Sequence, residues 1–319
     1  MKTIHHLSYG GVVKEDPNYY NIERWKEYEN DERTSNIEFH HGPMIDFNLV
    51  DTSKTNILYP HDCPNIFIHH TAHREKCEKI FDYILSPENQ CATGRNYRDC
   101  FVWSDYKNTL SLAEIDNIDN VEKDIDVYLT TSVDPDKVYN RISHFYDIAK
   151  KFNNEIVCRA IKNVSFQEKI RTNARSKISI VWGTQFWSTG SKKIADSNIP
   201  WIKVIEMENG ICETPQPKLR ACEAALCKSV MLCYKDKFSD MDHPFSNPIE
   251  DTFERDVDFI YFEDDGKDLE EKINYILNNY DEFDKMRDSA YEKVMKYHDI
   301  EYFYNNCILP IAKESNGKK

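Results

Sequence analysis

Residues 214–234 read TPQPKLRACEAALCKSVMLCY, and the reading of this stretch decides the fold. Thr214 suits a helix N-cap and Pro215 a first helical position. Leu219, Cys222 and Leu226 recur at three and four residues, which predicts a helix with one apolar face. Residues 230–233 then form a short apolar run, the mark of a buried strand. A helix that turns straight into a buried strand is half of a right-handed parallel α/β unit. Ligands of such units gather at helix N-termini beside the carboxyl ends of the strands, so residues 214–218 are a candidate phosphate seat.

The charges support this placement. Lys218 and Arg220 lie near the predicted helix start, where free N–H groups and the dipole already favour an anion. Glu223 follows Lys218 by five residues, roughly 7 to 8 Å along the axis at about 1.5 Å per residue. A diphosphate at the helix start would leave its ribose near that carboxylate, which can accept from two sugar hydroxyls. Basic group first and acid second is the order a nucleotide sugar needs. The same residues also suit an ordinary amphipathic helix with a solvated lysine, arginine and glutamate, and the segment alone leaves both readings open.

Working outward, 319 residues with 40% apolar and 30% charged composition describe a globular chain of two ordinary domains or one large one. The 41 Lys and Arg against 55 Asp and Glu give a net charge of -14, so no overall field draws in DNA, RNA or anionic lipid. Ten cysteines are scattered without a C-x-x-C pair, as expected of free thiols in a reducing cytoplasm. Residues 1–7 are too short and polar for a signal peptide, and no apolar run approaches the roughly 20 residues of a membrane span. A cytoplasmic protein is expected.

In the first half, residues 3–7 predict a strand that runs into Gly10 and Gly11. Two glycines after a strand let backbone N–H groups approach a phosphate, although they serve a plain turn equally well. Residues 21–32 predict an exposed helix; 45–50, 56–59 and 79–85 predict strands. The loop after the second of these holds His61 and Asp62 between Pro60 and Pro64. An imidazole and a carboxylate at a strand end suit a general base or a partner for a sugar hydroxyl; they suit a backbone bond and an Asx turn as well. His69 and His73 have the spacing of a metal pair on a helix, but no carboxylate or cysteine completes a set, so no metal is expected.

Residues 116–126 are charge-rich and poor in apolar side chains, the best linker in the chain. Beyond it the pattern becomes regular. Strands are predicted at 125–129, 155–158, 178–182, 201–205 and 258–262, and helices at 138–152, 166–175, 269–278 and 281–297. Strands alternating with helices of this length mean a parallel sheet covered on both faces.

Four features carry a family resemblance: the IDVYL strand with Arg141 after it, the segment 174–181 (ARSKISIV), PKLRACEAALCKSVML, and FIYFEDDGKDLEEKINYILNN before a helix ending YHDI. Together, over roughly residues 124–300, they resemble the nucleotide-sugar-binding half of GT-B glycosyltransferases, of the group 1 and spore-maturation glycosyltransferase-like kind.

The resemblance implies an α/β chain of two Rossmann-like domains facing a central cleft. Residues 1–120 would be the acceptor domain and 121–300 the nucleotide-sugar-binding domain, with 301–319 packing back on the first. It implies that Glu223 binds the donor ribose, that Lys218 and Arg220 meet the diphosphate beside Thr214, and that Thr131, Ser132, Trp182 and Gly183 approach the donor from either side. Gly10 and Gly11 would face the diphosphate. Asp62 would be the base with His61 beside it on the acceptor side. Relatives commonly carry glycine where Lys228 stands, so the turn there must be made differently or at a cost of order 1 kcal/mol.

The activity implied is metal-independent transfer of a hexose or pentose from a nucleotide-diphosphate sugar, with no further cofactor. The acceptor would be a glycan or small molecule, or a modified DNA base. Two other readings stay open on the same scaffold, a nucleotide-sugar epimerase and a non-catalytic nucleotide-sugar-binding protein.

Overall fold

The structure, a computed structural model, describes residues 1–6, 22–42, 45–59, 71–86, 96–101, 103–130, 150, 152, 157–161, 164–182, 184–188, 211–215, 219–235, 249–263 and 268–317. The chain divides into two compact units, one of Met1–Ser104, Trp187–Thr214 and Ile300–Lys319, the other of Asp105–Phe186 and Pro215–Asp299.

The first unit holds a parallel sheet of β1 (Lys2–His5), β2 (Ile37–His41), β3 (Thr55–Tyr59), β4 (Tyr83–Ser86) and β5 (Tyr97–Asp99), laid side by side in chain order. Helices α1 (Ile22–Glu29) and α2 (Thr71–Ile80) belong to the same unit. Successive side chains of a strand point to opposite faces. Ile37, Phe39, Ile57, Tyr59 and Leu85 therefore line one core, while Leu58 and Ile84 join Cys77 and Phe81 in a second.

The first of these cores is completed from far along the chain. Ile300, Phe303, Tyr304, Ile308 and Ile311 pack into it, in a helical run of Ile300–Phe303, Tyr304–Ile308 and Leu309–Gly317. The Phe303 ring stacks on Trp103 at 4.4 Å, and Trp103 on Trp25 at 5.3 Å.

Two expectations fail here. Residues 45–50 are no strand: Oδ1 of Asp46 accepts from the Asn48 backbone N–H at 3.0 Å and caps a 3-10 turn, Phe47–Leu49. Residues 79–85 split between the end of α2 and the start of β4, because Asp82 turns the chain and its carboxylate accepts from the Asn56 N–H at 2.8 Å.

The second unit begins with α3 (Tyr106–Leu112), whose Tyr106 is buried against Ala221 and Cys222, so residues 105–120 pack with this unit. Its elements then run β6 (Ile125–Thr130), β7 (Cys158–Ile161), α4 (Phe166–Ala174), β8 (Ser176–Val181), α5 (Leu219–Leu226), β11 (Val230–Tyr234), β12 (Phe259–Phe262), α6 (Leu269–Asn278) and α7 (Asp284–Tyr297). Strands β9 (Thr184–Ser188) and β10 (Ile211–Pro215) form a separate two-stranded sheet.

The five-stranded sheet has the order β12-β11-β8-β6-β7, and all its pairs are parallel. Alternation again makes two faces. Val127, Leu129, Ile178, Ile180, Val230 and Leu232 meet α6 on one; Val181, Met231, Cys233 and Tyr261 meet α5 and α7 on the other. The strand expected at 155–158 lies three residues later, and that expected at 201–205 falls outside the described residues.

The deciding stretch needs one correction. Thr214 and Pro215 end strand β10 rather than starting a helix, and α5 begins at Leu219. A residue before proline is driven out of the α region, and both Thr214 and Gln216 precede prolines. Helix and strand then follow as the pattern predicts.

At the far end of α5, Lys228 takes φ 49°, the left-handed conformation that usually falls to glycine. Its N–H bonds to Ala225 O at 3.0 Å, and the Ser229 N–H to Ala224 O at 3.1 Å, which together form a Schellman turn. The Lys228 ammonium reaches Asp119 at 2.6 Å and Asp288 at 2.7 Å. The turn is thus made in the usual geometry, with two ion pairs to offset the missing glycine.

Candidate active site

Counted within the second unit, β6 is the first strand and β7 the second, so the sheet reads 2-1-3-4-5. That order reverses between β6 and β8. In open α/β sheets, ligands bind outside the carboxyl ends of the strands at such a switch point. The two strand ends that flank it are Thr130 and Val181.

Thr131 and Ser132 follow the first of these ends and Trp182 and Gly183 the second. Of the four, Trp182 is among the described residues. Its indole is 1% exposed and packs on Tyr234 at 6.1 Å and Phe262 at 5.4 Å. The side chain is part of an aromatic cluster at the carboxyl ends of β8, β11 and β12.

Glu223 sits in the second turn of α5 and is 3% exposed. Its Oε1 accepts from Nζ of Lys169, on α4, at 2.5 Å. Lys169 is held in place from several sides. Ser165 caps α4 by accepting from the Glu168 N–H at 3.1 Å, the Tyr128 hydroxyl donates to the Lys169 carbonyl at 3.3 Å, and the ammonium lies 4.9 Å from the Phe166 ring centre. Taking a carboxylate out of water is costly unless a partner compensates it, and Lys169 is that partner.

Arg220 is half-buried in the first turn of α5. Thr214 ends β10. Lys218, Gly10, Gly11, His61, Asp62, Thr131, Ser132 and Gly183 lie outside the described residues, as does His69.

The cysteines of α5, the turn after it and β11 are inert framework. Burial pushes the Cys222 and Cys227 thiols up to about 12 and Cys233 well above its ordinary value. Lys123, brought down to about 8 by burial, donates to the Cys227 carbonyl at 2.7 Å and so satisfies one of the last acceptors of the helix. Among the described residues no group of three His, Cys, Asp or Glu side chains is placed to hold a metal ion, and no helix is long and apolar enough to cross a membrane.

Residues 149–307 match the family model of glycosyl transferase-like domains. This region is a glycosyl transferase-like domain. Solved structures extend the likeness to the rest of the chain. An alpha-glucosyltransferase in complex with UDP and a 13-mer DNA superposes with a TM-score of 0.55 at 11% identity, over 87% of this chain and 80% of that one. Sucrose-phosphate synthase from Thermosynechococcus elongatus gives 0.52 at 9% identity, over 94% and 78%. HepE of Anabaena in complex with UDP gives 0.50 at 8%, over 94% and 85%. At such identities the likeness is one of fold, and the fold is GT-B. A sequence comparison with curated proteins finds no match.

Within the transferase-like domain, sequence reasoning missed Lys169. It stands 54 residues before Glu223 on a different helix, and no local spacing could have joined them.

Proposed function

We propose that the chain transfers a sugar, hexose or pentose, from a nucleotide-diphosphate sugar to an acceptor hydroxyl, without a metal. The observation that carries this reading is the switch point between β6 and β8, on the sheet that also seats α5 and Glu223 in a glycosyl transferase-like domain. The donor would lie across the carboxyl ends of these strands. Its diphosphate would meet Lys218, Arg220 and the first turn of α5, with Gly10, Gly11, Thr131, Ser132 and Gly183 around it, and its ribose would meet Glu223.

In the reaction the acceptor oxygen bonds to the anomeric carbon, and the bond from that carbon to the diphosphate oxygen breaks. The electron pair leaves on the nucleoside diphosphate, where helix N–H groups and Lys218 stabilise the added charge, work that a metal ion does in other transferases. The acceptor proton passes to a base, for which Asp62, with His61 beside it, is our choice.

The neighbours bound to UDP make uracil the first base to try. Thermal-shift measurement against a panel of nucleotide sugars tests the reading: stabilisation by at least one is expected, and E223Q should weaken that donor while the protein still folds. Unchanged affinity in E223Q would remove the ribose assignment. A glycan or small molecule is the favoured acceptor. The net charge of -14 weighs against DNA, although the neighbour solved with a DNA 13-mer makes a modified base worth assaying. A second reading is a nucleotide-sugar-binding protein without turnover, since Lys228 stands where relatives commonly carry glycine. Binding with neither transfer nor epimerisation of the bound sugar would establish it.

A further inference from the structure

Glu223 and Lys169 raise a question that the donor reading does not answer: why a carboxylate meant for a ribose is already engaged. A carboxylate offers about four acceptor positions on two oxygens. Lys169 takes one of them, on Oε1. Both side chains sit on rigid elements, α4 and α5, and both are largely buried, at 15% and 4% side-chain exposure. The ammonium cannot swing away without stranding a buried charge, so the pair behaves as one preformed unit.

We propose that Lys169 is the positioning residue of the ribose site. By holding Oε1, it presents Oε2 in one fixed orientation to the 2′- and 3′-hydroxyls of a nucleoside diphosphate. The proposal rests on Glu223 being the ribose ligand, and it adds the reason that a buried acid can serve as one. A flexible carboxylate would have to be ordered at each binding event; one clamped by a lysine is ordered beforehand. Lys169 itself touches no substrate.

The test is the preference for UDP over 2′-deoxy-UDP, measured by calorimetry on the full chain. A hydrogen bond to a charged group accounts for about tenfold in affinity or more, so the wild-type protein should favour UDP by about that factor. K169M should bring the ratio close to one, and K169R, which keeps a cation on Oε1, should restore most of it. A merely structural tie between helices would change stability in K169M but leave the ratio as it was, and that result would overturn the proposal. Should K169M fail to fold, K169L, which likewise removes the donor to Oε1 while keeping an apolar stem, carries the same comparison, and a retained ratio there overturns the proposal equally. E223Q separates the two layers. If E223Q keeps the wild-type ratio, or if wild type binds UDP and 2′-deoxy-UDP alike, the ribose assignment itself is wrong. If E223Q loses the ratio and K169M keeps it, only the role of Lys169 is wrong.

Discussion

Nε2 of His6 lies 2.9 Å from Nδ1 of His40, and a backbone N–H decides which of the two nitrogens carries the proton. Asp46 donates its N–H to Nδ1 of His6 at 3.1 Å, so that nitrogen accepts and Nε2 of His6 is the donor. Nδ1 of His40 must then accept, which leaves Nε2 of His40 to donate to Oδ1 of Asn56 at 2.9 Å. The chain of bonds runs one way through two neutral rings.

Adding a proton to either ring would set two donors face to face. Burial holds His40 below the usual histidine range, against the opposing pull of Asn56 and of Glu38, whose Oε2 is 3.6 Å away; Lys2 adds to the lowering, and the Phe81 ring packs at 5.0 Å. A ring that stays neutral in the fold but takes a proton when unfolded, below about pH 6.5, makes the unfolded state bind more protons. The stability it contributes is therefore complete above that pH and is lost as pH falls toward the lowered folded value. NMR titration of the His40 ring protons should give a midpoint below 6.5; a midpoint above it would mean that the ring is charged and the bond directions are wrong.

Lys228 makes a second case. Replacing it by glycine relieves a left-handed residue, which is worth about 1 kcal/mol. It also removes ion pairs to Asp119 and Asp288, whose side chains are 61% and 57% exposed, at about 0 to 1 kcal/mol each. The two effects nearly cancel, so Lys228→Gly should change unfolding free energy by no more than about 1 kcal/mol. Lys228→Ala loses the pairs and keeps the strain, and should be the less stable variant in a urea titration. The opposite order would show that the turn is governed by something other than its backbone angle.

At the proposed diphosphate seat, Lys218→Ala should slow turnover more than Arg220→Ala, since Lys218 stands before the first turn of α5 and Arg220 within it. Steady-state rates with a saturating nucleotide sugar decide this, and a larger loss in Arg220→Ala would exchange their roles.

The cysteines offer a chemical check on burial. Cys222, Cys227 and Cys233 are no more than 3% exposed, and burial raises all three thiols. The thiolate is the reacting species. Iodoacetamide at neutral pH should leave these three unmodified in the folded protein and label them in urea; rapid native labelling would contradict the packing of α5.

The second sheet was legible because its strands are largely apolar runs (IDVYL, ISIV, VMLCY, FIYF), the signature of parallel strands covered on both faces. Helix α6 was read to the residue from its spacing of Leu269, Ile273 and Ile276. Strand β2 was missed because IEFHH looks polar. Its Glu38 and His40 are buried all the same, since Lys2, His6 and Asn56 supply partners that no local pattern reveals. Residues 45–50 misled in the opposite way. Ile45, Phe47 and Leu49 alternate as a strand would, and only the Asp46 cap shows that the chain turns there. Of the candidate site, the sequence pointed to α5, Glu223 and both switch-point loops. The ion pair that fixes Glu223 depends on topology and could not be read from spacing.

The packing of Phe303 against Trp25 and Trp103 bears on how the polypeptide is made. Because the amino-terminal sheet borrows its last core side chains from residues 300–312, it cannot finish closing until the ribosome has delivered them. The other unit, which draws on residues 105–186 and 215–299, is free to fold first. Synthesis thus runs against the order of the elements, and a chain stopped shortly before residue 300 would leave a bare aromatic surface for chaperones to cover.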